Sequence, residues 1–234
     1  MFCCQLLEEL EHSTSQEEEL APAAAGIEEQ TKTKTLFLFA IVGLLFMFPV
    51  NVLACACCSQ RDYYFSGPTD LDEYPLSQLK RIRFDRTANL FFSEAGIEEH
   101  SKGISYVREN YSFSPESPLN NLWKFSFRSG TNSGMLGLLL PAKLWDHSVD
   151  IHDNKISAGG GPLLYKEWRL EGEVKGTGIF KAGFAAPAKY LLVLQGRGNA
   201  CDNAEDFTNW RLEVRGEGAD YAFYGKLLKP IPQR

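Results

Sequence analysis

Downstream of residue 58 the chain shows no long helical stripe of apolar residues, and its clearest pattern is an alternation of period two. In Leu122–Arg128, Trp123, Phe125 and Phe127 alternate with Lys124, Ser126 and Arg128. In Glu167–Lys175, Trp168, Leu170 and Val174 alternate with Glu167, Arg169, Glu171, Glu173 and Lys175. In Thr208–Arg215, Trp210, Leu212 and Val214 alternate with Asn209, Arg211, Glu213 and Arg215. Successive side chains of a strand point to opposite faces, so each run predicts an antiparallel strand with one packed and one solvated face. Met135–Leu140 and Tyr190–Leu194 are apolar in both phases and predict strands buried on both faces.

Further strands are predicted at Tyr63–Ser66, Lys80–Asp85, Asn89–Glu94, Ile104–Arg108, Ser148–His152, Gly178–Lys181 and Tyr221–Lys226. Turn-forming clusters separate them, among them Ser66-Gly67-Pro68, Asp153-Asn154 and Gly159-Gly160-Gly161-Pro162. Leu71–Leu79 suits one short helix. About ten short strands predict an all-β fold, an antiparallel β-sandwich or a barrel. Gly137 and Gly172, inside strands, predict bends where a sheet curls and tilt the choice slightly toward a sandwich.

One segment breaks the alternation. Leu36–Phe48 is 13 residues without a polar side chain, preceded by Lys32 and Lys34 and followed by Pro49 and Ala54-Cys55-Ala56. A basic flank, a short apolar run and small residues in an A-x-A pattern predict a secretory signal peptide. Two other outcomes stay open. Uncleaved, residues 36–56 are long enough to span a bilayer as a signal anchor. Alternatively, Val52-Leu53-Ala54-Cys55 resembles a lipobox, which would put a lipid on Cys55. The expected organisation is therefore an acidic, disordered segment over 1–34, a targeting segment over 35–56 and an exported all-β domain over 57–234.

Charge changes the picture only when divided. Residues 1–56 carry eight of the 30 acidic and two of the 24 basic residues, leaving 22 of each for 57–234. A formally neutral domain has no electrostatic footprint for nucleic acid.

The cysteines carry the clearest chemistry. Outside the cytosol, Cys57 or Cys58 is expected to bridge to Cys201, closing a loop worth roughly 4–5 kcal/mol in the entropic view. As thiolates, Cys55, Cys57, Cys58 and Cys201 could instead hold zinc or copper. In the loop Gly196–Phe207, Asp202, Asn203, Glu205 and Asp206 offer hard oxygen donors that would suit calcium, although the order is not that of an EF-hand. Asp146, His147, Asp150, His152 and Asp153 form a second cluster. Strand phase puts His147 and His152 on opposite faces, so the pair is not expected to share an ion. No cofactor is predicted.

Nucleophilic chemistry has little support. Ser133 sits in a turn without a nearby histidine, and Cys201 with His100 or His147 is a pairing by composition alone. Aromatic residues give the better hypothesis. Trp123, Trp168 and Trp210 lie in the core phase of their strands, whereas Trp145 and Tyr64 are freer to stack on a ligand.

CACC at 55–58, with RIRFDRTANLFFSEAG, GPLLYKEWRLEG and LVLQGRGNACDNAEDFTNWRLEV further on, resembles a set of uncharacterised exported bacterial proteins. That resemblance implies export and no particular chemistry. The expected function is an exported or membrane-tethered binding or envelope-structural module for a small molecule, glycan or envelope component. A metal-handling protein and a secreted hydrolase are the alternatives.

Overall fold

A computed structural model describes residues 57–91, 104, 110–157 and 159–230. The segments expected over 1–34 and 35–56, with the candidate lipidation position Cys55, lie outside them. Among the described residues no helix is long and apolar enough to cross a membrane.

The described chain is almost all β. Its strands are β1 (Tyr64–Asp70), β2 (Arg83–Phe84), β3 (Thr87–Phe91), β4 (Asn110–Pro115), β5 (Leu122–Ser129) and β6 (Asn132–Leu139). They continue with β7 (Lys143–Val149), β8 (Leu164–Gly178), β9 (Ala188–Gly198), β10 (Phe207–Gly216) and β11 (Ala219–Leu228). One helix, α1 (Glu73–Arg81), follows β1. Asp72 caps it, its carboxylate accepting from the Tyr74 N–H, and Lys80 and Arg81 fall in the last turn, where the helix dipole favours cations.

The strands close into an eight-stranded antiparallel barrel, β3-β4-β5-β6-β8-β9-β10-β11, sealed where β11 pairs with β3. β8 makes the closure possible by serving two partners along one edge. Its first half pairs with β7 through Tyr165–Arg169, and its second half pairs with β6 through Val174–Gly178. β1 then pairs with β7, so β1 and β7 extend from the barrel wall as a two-stranded flap. Gly172 sits at the change of partner. A Cβ there would stand 2.5 Å from the Leu139 carbonyl oxygen, so only glycine lets the end of β6 come this close.

Eight strands leave an interior just wide enough for side chains. Here it is filled by aromatics: Trp123, Phe125, Phe127, Phe113, Tyr111, Trp210 and Phe223 are all buried. Phe84 enters near Trp123, its ring centroid 5.4 Å from those of Phe113, Phe125 and Trp210. Phe180 lies by Phe127 and Phe223. Among the described residues the interior is a packed aromatic core.

Several expected boundaries move. Lys80–Asp85 is divided between the end of α1 and the two residues of β2, because the helix runs on to Arg81. The strand expected at Ser148–His152 is instead Lys143–Val149, ending before the left-handed residue His152 at φ 51°. Past Gly178 the chain turns into a 3-10 helix at Lys181–Phe184. The strand β4 was not expected, since Ser112 and Ser114 weaken its apolar pattern. Of Ile104–Arg108 only Ile104 is described. In β6, Leu139 is 48% exposed, so this strand is buried on one face only. Its neighbours are strands whose outer faces meet solvent.

Candidate functional site

Register fixes what lies side by side on the outer face of β1, β7, β8 and β9. One row across the sheet reads Pro68, Trp145, Arg169, Val193; the next reads Ser66, His147, Glu167, Gln195; the third reads Tyr64, Val149, Tyr165, Arg197. Paired residues of this kind have Cβ atoms about 4.5–5.5 Å apart, so each row is one contact surface. Trp145 is 44% exposed and Tyr64 67% exposed. The Trp145 indole is not loose: its Nε1–H donates to the Ser66 hydroxyl at 3.0 Å. The His147 ring bridges the aromatics, edge-on to Tyr64 at 5.7 Å and to Tyr165 at 6.2 Å.

Beside them is a connected polar network. The Tyr165 hydroxyl donates to Glu167 Oε2 at 2.5 Å, Gln195 Nε2 donates to the same oxygen at 2.8 Å, and Arg169 Nε donates to Glu167 Oε1. Burial pushes the Glu167 carboxyl up, but the hydrogen bonds from Gln195, Tyr165 and Arg169 outweigh it and hold the group below its ordinary value. Burial and the adjacent Glu167 charge push Tyr165 up to about 12. The result is a fixed carboxylate, a fixed guanidinium and exposed rings on one rigid sheet face.

The opposite face of the same strands carries a different constellation. Lys166 and Trp168 on β8 lie opposite Ser148 and Asp146 on β7, all pointing inward. Lys166 is fully buried. Its Nζ donates to the Cys201 carbonyl and, at 3.2 Å, to Asp206 Oδ2, and stands 3.0 Å from Asp202 Oδ1. Burial, then the nearby Asp202 charge, push the Asp146 carboxyl up to about 6, against the pull of Lys166, Ser148 and Trp168. Burial also raises Asp206, against the attraction of Lys166. Helix α1 holds the covering loop: Gln78 Oε1 accepts from the Ala204 N–H, and the Tyr74 hydroxyl donates to the Asp202 carbonyl.

Cys57 is bonded to Cys201, with 4.9 Å between their Cα atoms, and Cys58 is also disulfide-bonded. The thiolate metal set read from Cys55, Cys57, Cys58 and Cys201 is therefore not available, and Cys201 offers no thiolate to His147. The calcium reading of the 196–207 loop gives way as well. Asp202 and Asp206 turn onto the Lys166 cation, while Glu205 faces Arg81 at 3.9 Å. Among the described residues no group of three or more His, Cys, Asp or Glu side chains is placed to hold a metal. His152 binds Asp62 and Asp150 at a turn, away from the outward-facing His147. Asp153 pairs with Arg197 and Lys155. Ser133 opens β6 opposite Arg128.

Elsewhere on the wall, a shallow groove of about 690 Å³ is lined by Arg86, Arg128, Ser112, Ser126, Met135 and Thr177, among others. Lys166 and the Glu167 network went unread in the sequence. Lys166 had a signal, because it falls in the apolar phase of β8 with Trp168 and Leu170. Compared with family models, curated proteins and solved structures, the chain matches none.

Proposed function

We propose that this chain is an exported binding module whose outer β1–β7–β8–β9 face takes carbohydrate. The observation that carries the reading is the alignment of the exposed Trp145 indole with Arg169 in one row and with His147 and Glu167 in the next. A sugar ring presents an apolar C–H face and a rim of hydroxyls. It asks for an exposed flat ring beside donors and acceptors that do not move. Trp145 and Tyr64 supply rings, and the half-exposed Arg169 supplies a donor that the buried Glu167 carboxylate already holds in place in the free protein, which lowers the ordering cost of binding. The packed interior favours an outside site over a cup. The Cys57–Cys201 bridge supports an oxidising compartment.

The test is titration of the full chain with a panel of neutral and acidic oligosaccharides by calorimetry. Saturable binding is expected, weakened at least about tenfold, or ~1.4 kcal/mol, in Trp145→Ala. Arg128→Ala, in the serine-lined groove, is expected to leave it unchanged. Loss on Arg128→Ala with Trp145→Ala silent would move the site to that groove, and no binding across the panel would favour an envelope-structural role.

A further inference from the structure

We infer that Lys166 and Asp206 are joined by an intramolecular isopeptide bond that the folded barrel makes for itself. The starting point is an imbalance. One buried cation is paired with two carboxylates, those of Asp202 and Asp206, and lies within electrostatic reach of a third, Asp146, where simple charge pairing needs one. Buried ions are costly unless well paired, and an amide removes both an ammonium and a carboxylate from the interior.

The geometry is that of a positioned reaction. Nζ donates to Asp206 Oδ2 at 3.2 Å, which holds the amine nitrogen beside the carboxyl group whose carbon it would attack. Asp206 lies against two glycines on one face of β9: a Cβ on Gly196 would stand 1.8 Å from its carbonyl oxygen, and one on Gly198 would stand 2.1 Å from its Cγ. The carboxyl group thus lies flat on bare backbone. Burial draws Asp206 toward its neutral acid, the form an amine attacks. Trp168 and Phe207, with ring centroids 4.9 Å apart, belong to the same inner face and help keep water out.

The chemistry balances without any co-reactant. Asp202 Oδ1, 3.0 Å from Nζ, takes one proton from the ammonium and leaves a neutral amine. The amine lone pair attacks Cγ of the protonated Asp206, forming the N–C bond. The C–O bond to one carboxyl oxygen breaks, and that oxygen leaves as water with a proton from the nitrogen. Asp202, 22% exposed in its side chain, returns its proton toward solvent. Nothing is oxidised or reduced. The bond ties β8 to the start of β10 across β9, and the Cys57–Cys201 disulfide anchors the same loop to the beginning of the domain.

The experiment is intact-mass analysis of the full chain after reduction, alkylation and denaturation, followed by tryptic mapping. The expected mass is one water below that calculated from the N-terminus found in the same mapping, with a branched peptide joining Lys166 to Asp206 and no cleavage after Lys166. Lys166→Arg keeps a cation against both aspartates but does not condense, and Asp206→Ala removes the acceptor. Both are expected to recover the missing water and lose the branch. A wild-type chain of full mass overturns the inference, as does a branch at Asp202, or a water deficit that persists in Lys166→Arg.

Discussion

Replacing Phe84 by alanine tests whether the barrel is solid. Phe84 belongs to a strand of two residues, paired to β11 through Leu227, and its backbone contribution survives the change. Its side chain does not. The ring is buried and packs edge-on against four aromatic rings, those of Phe113, Phe125 and Trp210 at 5.4 Å and Trp123 at 5.6 Å. Removing it deletes the transfer energy of a phenyl group and leaves a cavity that four large rings on three strands cannot close. Such changes cost ~3–5 kcal/mol. With a urea dependence of about 2 kcal/mol/M, the midpoint falls by about 1.5–2.5 M at unchanged slope. Equilibrium urea unfolding followed by tryptophan fluorescence reads this directly. A loss below ~1 kcal/mol would mean the ring does not sit in a filled interior. The barrel would then be open to a ligand, and the argument for an outer-face site would fail with it.

Two further outcomes follow from single atoms. Gly172→Ala places a Cβ 2.5 Å from the Leu139 carbonyl oxygen, and because that atom is backbone it cannot swing away. A destabilisation of ~1–3 kcal/mol is expected, read as a lower melting temperature; a neutral result would refute the close approach of β6 and β8 at the change of partner. Asp146 is raised from 3.8 to about 6 in the folded state, so its folded value lies above its unfolded one. Its protonated form is favoured by folding, and the stability this gives is full below pH ~4 and lost as pH rises through ~6. Asp146→Asn is therefore expected to be more stable than the wild type at pH 7, by ~2–3 kcal/mol, and to show no such gain at pH 4. The difference between the two proteins is the quantity to measure, since Asp150, Asp153 and Glu167 are lowered and give the opposite slope. A gain independent of pH would refute a buried, raised carboxyl.

The strand phase of the sequence sufficed to sort most side chains. Trp123, Trp168 and Trp210 were legible as core and Trp145 and Tyr64 as freer, because alternation on a pleated strand leaves a residue only two faces. Local signals also reached the short helix, expected at Leu71–Leu79 and found at Glu73–Arg81, and named the cysteines that include the bridging pair Cys57 and Cys201. Other features depended on partners far away in sequence. Closure into a barrel is decided by β3 meeting β11, a contact with no local signature. Glu167 reads as a solvated residue of an alternating strand, and becomes buried because β7 and β9 bring His147 and Gln195 alongside it. Asp202 and Asp206 read as a polar loop open to calcium, and turn inward because Lys166, 40 residues before Asp206, points at them from the apolar phase of β8. Sequence alone settles which face a side chain takes, since that depends on its own strand. What it meets there is settled by register and closure, which are properties of the whole sheet.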